Sequence, residues 1–282
     1  MATVVYKIRM NKRAARLHSL SMLDSIQGKF YTVTGAASGI GQATAIQLAE
    51  LGAAGISISD INENGLQTTS QLCSKYSSTR IITQKLDVSD NDAVSQWIET
   101  TVKEFGRLDG CANVAGIAGG ESDTTTATIE QKDWDRTIAV NLSGMMYCMR
   151  QQLRHLPQPG GAIVNVSSAS GLRGLPKSSS YSASKHAVIG LSASAAGEFG
   201  KVGVRVNAVC PAADERGPVD TKIFRDGETR GVFSADVMSR ATLLERMGQA
   251  SEVANVLIFL LSDAASFVTG AHWAVDGGYT AC

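Results

Sequence analysis

Tyr181 and Lys185 stand four residues apart in Ser180-Tyr181-Ser182-Ala183-Ser184-Lys185, and on a helix that spacing puts both side chains on one face. An ammonium held close to a phenol favours the phenolate and draws its pKa below the ordinary value of about 10. A tyrosine in that setting is a usable general acid or base near neutrality. Ser168 closes the run Ala162-Ile163-Val164-Asn165-Val166-Ser167-Ser168, and at the carboxyl end of a strand its hydroxyl can hold a substrate oxygen beside the phenol. Alone, a Tyr-x-x-x-Lys pair says little, because tyrosines and lysines often share helix faces. Its meaning comes from what precedes it in the chain.

What precedes it is Thr34-Gly35-Ala36-Ala37-Ser38-Gly39-Ile40-Gly41, set between the apolar run Phe30-Tyr31-Thr32-Val33 and the helical pattern Gln42 to Ala49. A strand, a glycine turn and a helix in that order bring backbone N–H groups and a partial positive charge to a pyrophosphate. Gly35, Ser38, Gly39, Ile40 and Gly41 are therefore candidate dinucleotide contacts. Asp60 ends the run Gly55-Ile56-Ser57-Ile58-Ser59, about twenty residues beyond the turn, where a second parallel strand ends beside the first. A carboxylate there accepts hydrogen bonds from ribose hydroxyls and repels a 2′-phosphate. Neither Arg nor Lys occupies Ala36, Ala37 or Ser38, so the expected cofactor is NAD rather than NADP. The competing reading has Asp60 capping the next helix, a role Asn62 and Asn64 could share.

Strand-length apolar runs alternate with helical patterns along the chain, as in parallel βαβ units. The pattern predicts strands over 30–34, 55–60, 80–86, 109–113, 161–167, 203–209 and 271–275, with helices near 40–52, 63–76, 90–105, 131–156, 180–200 and 251–262. Right-handed crossovers then give an α/β fold: one doubly wound (Rossmann) parallel seven-stranded sheet with helices on both faces. Residues 28–282 form the catalytic domain in this reading. The long irregular segment 212–247 leaves the ligand edge as a substrate lid, or else packs on a neighbouring subunit.

The 282 residues, 44% apolar and of zero formal charge, suffice for one large domain and give no reason to expect nucleic acid or a membrane as partner. Cys73, Cys111, Cys148, Cys210 and Cys282 are scattered, as are His18, His155, His186 and His272, so reduced thiols and no metal site are expected. The sequons at Asn141 and Asn165 fall within a predicted helix and strand and are read as chance. Residues 1–27 carry Lys7, Arg9, Lys12, Arg13 and Arg16 against one acid, Asp24. That composition fits a mitochondrial transit peptide, a disordered tail, or a true start at Met22. The expected location is the cytoplasm, with the mitochondrion as alternative.

Taken together, these motifs resemble the short-chain dehydrogenase/reductase family over residues 28–280, with a flavour of its fungal secondary-metabolism members. The family's T-G-x-x-x-G-x-G turn is matched by Thr34 to Gly41, and its N-N-A-G element by Asn113-Val114-Ala115-Gly116, with Val114 in place of the second asparagine. The resemblance implies that Asn113, Ala115 and Gly116 line the adenosine side and that Asp87, followed by Val88, contacts adenine. It implies that Asn141 holds a water in a proton relay, that Ser168 supports the reacting oxygen, that Tyr181 is the acid/base, and that Lys185 also binds the nicotinamide ribose. Val219 and Thr221 would cradle the carboxamide, although Ala212 to Arg216 form a five-residue insertion between Pro211 and Gly217. The implied reaction is NAD-dependent interconversion of a secondary alcohol and a ketone.

Ile117 to Gly120, Ala169 to Pro176 and Lys222 to Met247 are small and mainly apolar, with Arg173, Lys177 and Arg225 among them. They suit a bulky, weakly polar small molecule such as a secondary metabolite. Small outer positions Ala187, Gly190, Ala193 and Ala196 fit the helix interface of a family dimer or tetramer, or ordinary packing on the chain's own sheet. Two other functions compete: a non-redox or redox-neutral step (epimerisation, dehydration or cyclisation), and non-catalytic cofactor binding.

Overall fold

The computed structural model describes residues 25–76, 79–119, 124–212 and 240–281. The alternation seen in the sequence becomes β1 (Phe30–Thr34), α1 (Gly39–Glu50), β2 (Gly55–Asp60), α2 (Glu63–Cys73), β3 (Arg80–Lys85), α3 (Asn91–Phe105) and β4 (Gly110–Asn113). After these come α4 (Gln131–Ile138), α5 (Met145–His155), β5 (Ala162–Val166), α6 (Ser179–Phe199), β6 (Arg205–Pro211), α7 (Ala250–Leu261) and β7 (His272–Val275). All seven strands run parallel in the order β3-β2-β1-β4-β5-β6-β7. The chain thus builds outward from β1 in one direction, then returns and builds outward from β4 in the other. Between β1 and β4 the crossovers diverge, and the crevice at the strands' carboxyl ends is where ligands bind in such sheets.

Successive side chains on a strand point to opposite faces, and the two faces have different chemistry here. Tyr31, Val33, Ile56, Ile58, Ala112, Val164 and Val209 pack with α1, α2 and α7 into one apolar cluster. The opposite face carries Ile163 and Val206 against α5 and α6, but also buried Thr32, Ser57, Asn113 and Asn165. Helix ends follow local rules: Asn62 accepts from Gly65 N to cap α2, and Asp90 accepts from Asp92 N and Ala93 N to cap α3.

The sequence predicts one continuous helix over 131–156, whereas Ala139–Gly144 between α4 and α5 is a π-helical turn. Such wide turns recur at functional sites, and this one contains Asn141. On α6, Gly190 and Ala193 are exposed and Ala187 is half-buried. Ala196 is a correction to the outer-position reading: it is buried in the chain's own core with Val188 and Ala195, because its phase on the helix turns it to the sheet. No described helix is long and apolar enough to cross a membrane. Val219, Thr221, most of the 212–247 segment and residues 1–24 of the N-terminal extension lie outside the described residues.

Candidate active site

The glycine turn joining β1 to α1 is a backbone construction. Gly35 has φ +67°, and a Cβ on it would lie 2.8 Å from Ala115 N; a Cβ on Gly41 would lie 2.2 Å from the Gly35 carbonyl oxygen. Neither position admits a side chain, so the turn stays tight and open to a ligand's phosphates. Thr34 Oγ1 accepts from Val114 N at 3.0 Å and Ala115 N at 3.1 Å, tying this turn to the one after β4. The contact explains why valine serves at 114: the backbone N–H makes the tie, and the side chain packs on the apolar core. Ser38, the N-cap of α1, makes no side-chain capping bond, and the first turn holds no acid. The leading N–H groups of α1 and their partial positive charge therefore face the crevice without a competing carboxylate on the helix.

Asp60 ends β2 across that crevice. Its carboxylate accepts from Ala37 N at 3.2 Å and Asn62 N at 2.9 Å, bracing the glycine turn; the α2 cap is Asn62, not Asp60. Asp87, exposed, accepts from the backbone and hydroxyl of Ser89. Val88 beside it is buried against Gly144 of the π turn. Asn113 is differently occupied. Its amide exchanges two 2.8 Å bonds with Gln152 and donates to Asn165 Oδ1 at 2.9 Å. Its side chain joins strands and helix, and what it leaves toward the crevice is backbone.

The catalytic candidates converge at the carboxyl end of β5. Lys185 is 2% exposed; its Nζ donates to Val166 O at 2.9 Å and stands 5.6 Å from the centre of the Tyr181 ring. Burial pushes the lysine pKa from its ordinary value down to about 8. Gly116 packs closely here, with an added Cβ 3.2 Å from Asn141 Oδ1 and 3.3 Å from Lys185 Nζ. Asn141 Oδ1 accepts from Ile117 N at 2.8 Å, and its Nδ2 donates to Ile117 O at 2.9 Å and Ser184 Oγ at 3.2 Å. Every side-chain hydrogen of Asn141 is thus committed, and the residue fastens the β4 loop to α6.

Adjacent serines divide the work after β5. Ser167 is buried and donates to Lys185 O at 2.7 Å. Ser168 is half-buried and accepts from Ser170 N at 3.1 Å. Because that bond uses an acceptor site, the Ser168 hydroxyl proton is left to donate to a substrate oxygen. Sequence reasoning missed Ser167, Ser184 and Gln152, and took Thr34 only as the first residue of the turn motif, because their roles depend on which elements become neighbours. Ser184 had a signal: it sits between Tyr181 and Lys185 and donates to Tyr181 O at 2.7 Å.

A glycine cradle at a helix N-terminus, an acid at the end of the second strand and a buried lysine beside a tyrosine define a dinucleotide-dependent oxidoreductase class of site. Residues 35–280 match the family model for enoyl-(acyl carrier protein) reductase, and the chain belongs to the short-chain dehydrogenase/reductase family. It is 39% identical over 256 residues to the short-chain dehydrogenase/reductase ABA4 of Pyricularia oryzae, covering 90% of this chain and 93% of that one. It is 43% identical over 255 residues to cis-4-hydroxycyclohexanecarboxylate dehydrogenase of Sinomonas cyclohexanicum, covering 88% and 95%. The levodione reductase crystal structure superposes with a TM-score of 0.84 at 32% identity, covering 91% of this chain and 99% of that one. Carveol dehydrogenase from Mycobacterium avium in complex with NAD gives 0.83 at 30%, covering 92% and 99%. ElxO with NADP bound gives 0.80 at 34%, covering 91% and 100%.

Proposed function

We propose that the protein is an NAD-dependent dehydrogenase that interconverts a secondary alcohol and a ketone on an apolar cyclic small molecule of secondary metabolism. The observation that carries this reading is Lys185, buried beside Tyr181 with its ammonium anchored on Val166 O. Gly35, Ser38, Gly39, Ile40 and Gly41 would hold the pyrophosphate, Asp60 the adenosine ribose, Asp87 and Val88 the adenine side, and Lys185 the nicotinamide ribose. Bound there, the nicotinamide supplies hydride acceptance or donation at C4.

The chain's own part is placement and proton transfer. Ser168 donates a hydrogen bond to the substrate oxygen, and Tyr181 takes its proton in the oxidation direction or returns it in reduction. Lys185 favours the phenolate through its charge. Asn141, with both amide hydrogens committed, can hold a relay water only as an acceptor, through an oxygen. Positioned acid–base catalysis of this kind contributes on the order of 10²–10⁴-fold. Fixed orientation in the crevice adds to it.

The cofactor choice rests on Asp60, since the related structures include both an NAD and an NADP complex. A cyclic alcohol is favoured because one relative is named for a hydroxycyclohexanecarboxylate and the described residues of the loops after β4 and β5 are small and mainly apolar. The test follows reduced-nicotinamide absorbance with NAD or NADP across cyclohexanols and larger ring alcohols. Turnover with NAD well above NADP is expected, and Asp60→Ala should narrow that preference roughly 10-fold, the loss of about one charge-assisted hydrogen bond. A wild-type preference for NADP would refute the assignment.

A further inference from the structure

Arg173 lies five residues after Ser168, on the segment that leads from β5 to the helix of Tyr181. Its backbone N–H is bound to Ala169 O at 3.1 Å, so its anchor is part of the turn that shapes Ser168. Its guanidinium lies 4.9 Å from the centre of the Tyr279 ring. Tyr279 belongs to the turn after β7, at the same carboxyl edge of the sheet. That turn is itself held: Asp276 accepts from Gly278 N, Thr280 N and Thr280 Oγ1 at 2.9, 3.0 and 2.5 Å. The nearby carboxylate is thus spent on its own loop, and Arg173 makes no ion pair among the described residues. Leu243 packs on Gly278 of the same turn, and Leu243 and Leu244 remain 62% and 61% exposed.

A guanidinium stacked on a ring commits its face and leaves its in-plane N–H groups free to fork a carboxylate. Leu243, against the residue before Tyr279, is uncovered hydrocarbon. We propose that Arg173 and Tyr279 form a carboxylate subsite at the mouth of the active site, and that the substrate is an apolar ring alcohol bearing a carboxylate remote from the reacting carbon. The substrate reading rests on the dehydrogenase function proposed above; the carboxylate subsite does not.

The experiment measures calorimetric binding of cyclohexanecarboxylate and of its neutral counterpart cyclohexanecarboxamide to the full-length protein saturated with NAD. Wild type should favour the acid at least 10-fold. Arg173→Gln should cost the acid roughly 10- to 100-fold, the span of one charged hydrogen-bonded pair, and bring the acid-to-amide ratio near one. Arg173→Lys should restore part of the ratio, because an ammonium keeps the charge and loses the fork. Equal binding of acid and amide by wild type, no binding of the acid, or an unchanged ratio in Arg173→Gln overturns the subsite. Kinetics with 4-hydroxycyclohexanecarboxylate and its methyl ester separates the two ideas. Turnover indifferent to the carboxylate rejects the subsite and leaves the dehydrogenase standing. An Arg173-dependent acid preference without turnover of any ring alcohol does the reverse.

Discussion

The two faces of the central strands solve different problems with the same backbone. Toward α1, α2 and α7 they present Tyr31, Val33, Ile56, Ile58, Ala112 and Val164 in an apolar layer, which gives cohesion without direction. Toward α3, α5 and α6 they present Ser57, Thr32, Asn113 and Asn165, each hydrogen-bonded to a helix. Trp97 Nε1 and Thr101 Oγ1 donate to Ser57 Oγ at 2.8 and 2.9 Å, Gln152 meets Asn113 and Thr32, and Asn165 donates to Ser192 Oγ at 2.9 Å. Ser192 and the Tyr181–Lys185 pair share α6. Apolar contacts carry no donor–acceptor direction, whereas buried amides and hydroxyls tolerate only the arrangement that satisfies them. The polar face therefore fixes the register of the helix that bears the reactive groups.

The contrast breaks most sharply at Lys185. A buried ammonium is costly, and its pKa near 8 in the folded protein lies below the ordinary value of 10.5. Between those values the unfolded chain binds a proton that the native state has lost, so stability should rise with pH across that window. Below about pH 8 the penalty is present in full. Lys185→Met should accordingly raise unfolding free energy at pH 7 by up to about 3 kcal/mol, flatten the alkaline rise, and abolish turnover. Denaturant melts at pH 7 and pH 10 check this; a destabilised, pH-insensitive variant would mean that the ammonium is not strained.

Gln152→Leu attacks the polar face at an uncharged group. It removes an amide that Asn113 meets at both ends and leaves a buried donor and acceptor unpaired, which should cost about 2 kcal/mol. A melt with no loss of stability would show that the polar face carries no such constraint. Smallest is Tyr31, whose hydroxyl is buried on the apolar face without a partner among the described residues. Burial, with Asp109 and Asp263 adding to it, holds its pKa well above the ordinary range. Tyr31→Phe should therefore stabilise by about 1 kcal/mol. If it destabilised by a like amount, the hydroxyl would have to be doing something useful there.

Much of this was legible in the residues because the requirement was local. A turn that must lack Cβ atoms writes glycine at Gly35 and Gly41, and an i, i+4 pair on one helix face needs no knowledge of neighbours. The parallel strands were likewise visible in their spacing. What stayed hidden depends on register and on departures from regular geometry. Asn165 read as a chance sequon until β5 paired with β4 and set it opposite Asn113. Nothing in Ala139-Val140-Asn141 announces a π turn rather than a continuous helix. Ser167 and Ser168 are identical in type and opposite in direction, which only the pleat of β5 and the turn beyond it decide.

The central claim is that the Tyr181 hydroxyl transfers the proton while Lys185 tunes it. Tyr181→Phe deletes that one oxygen and preserves the ring on which Lys185 lies. With a ring alcohol that wild type oxidises, the variant should lose 10²–10⁴-fold in the rate of nicotinamide reduction, while NAD affinity, followed by fluorescence, changes by no more than a few-fold. Turnover at the wild-type rate in Tyr181→Phe would contradict the account.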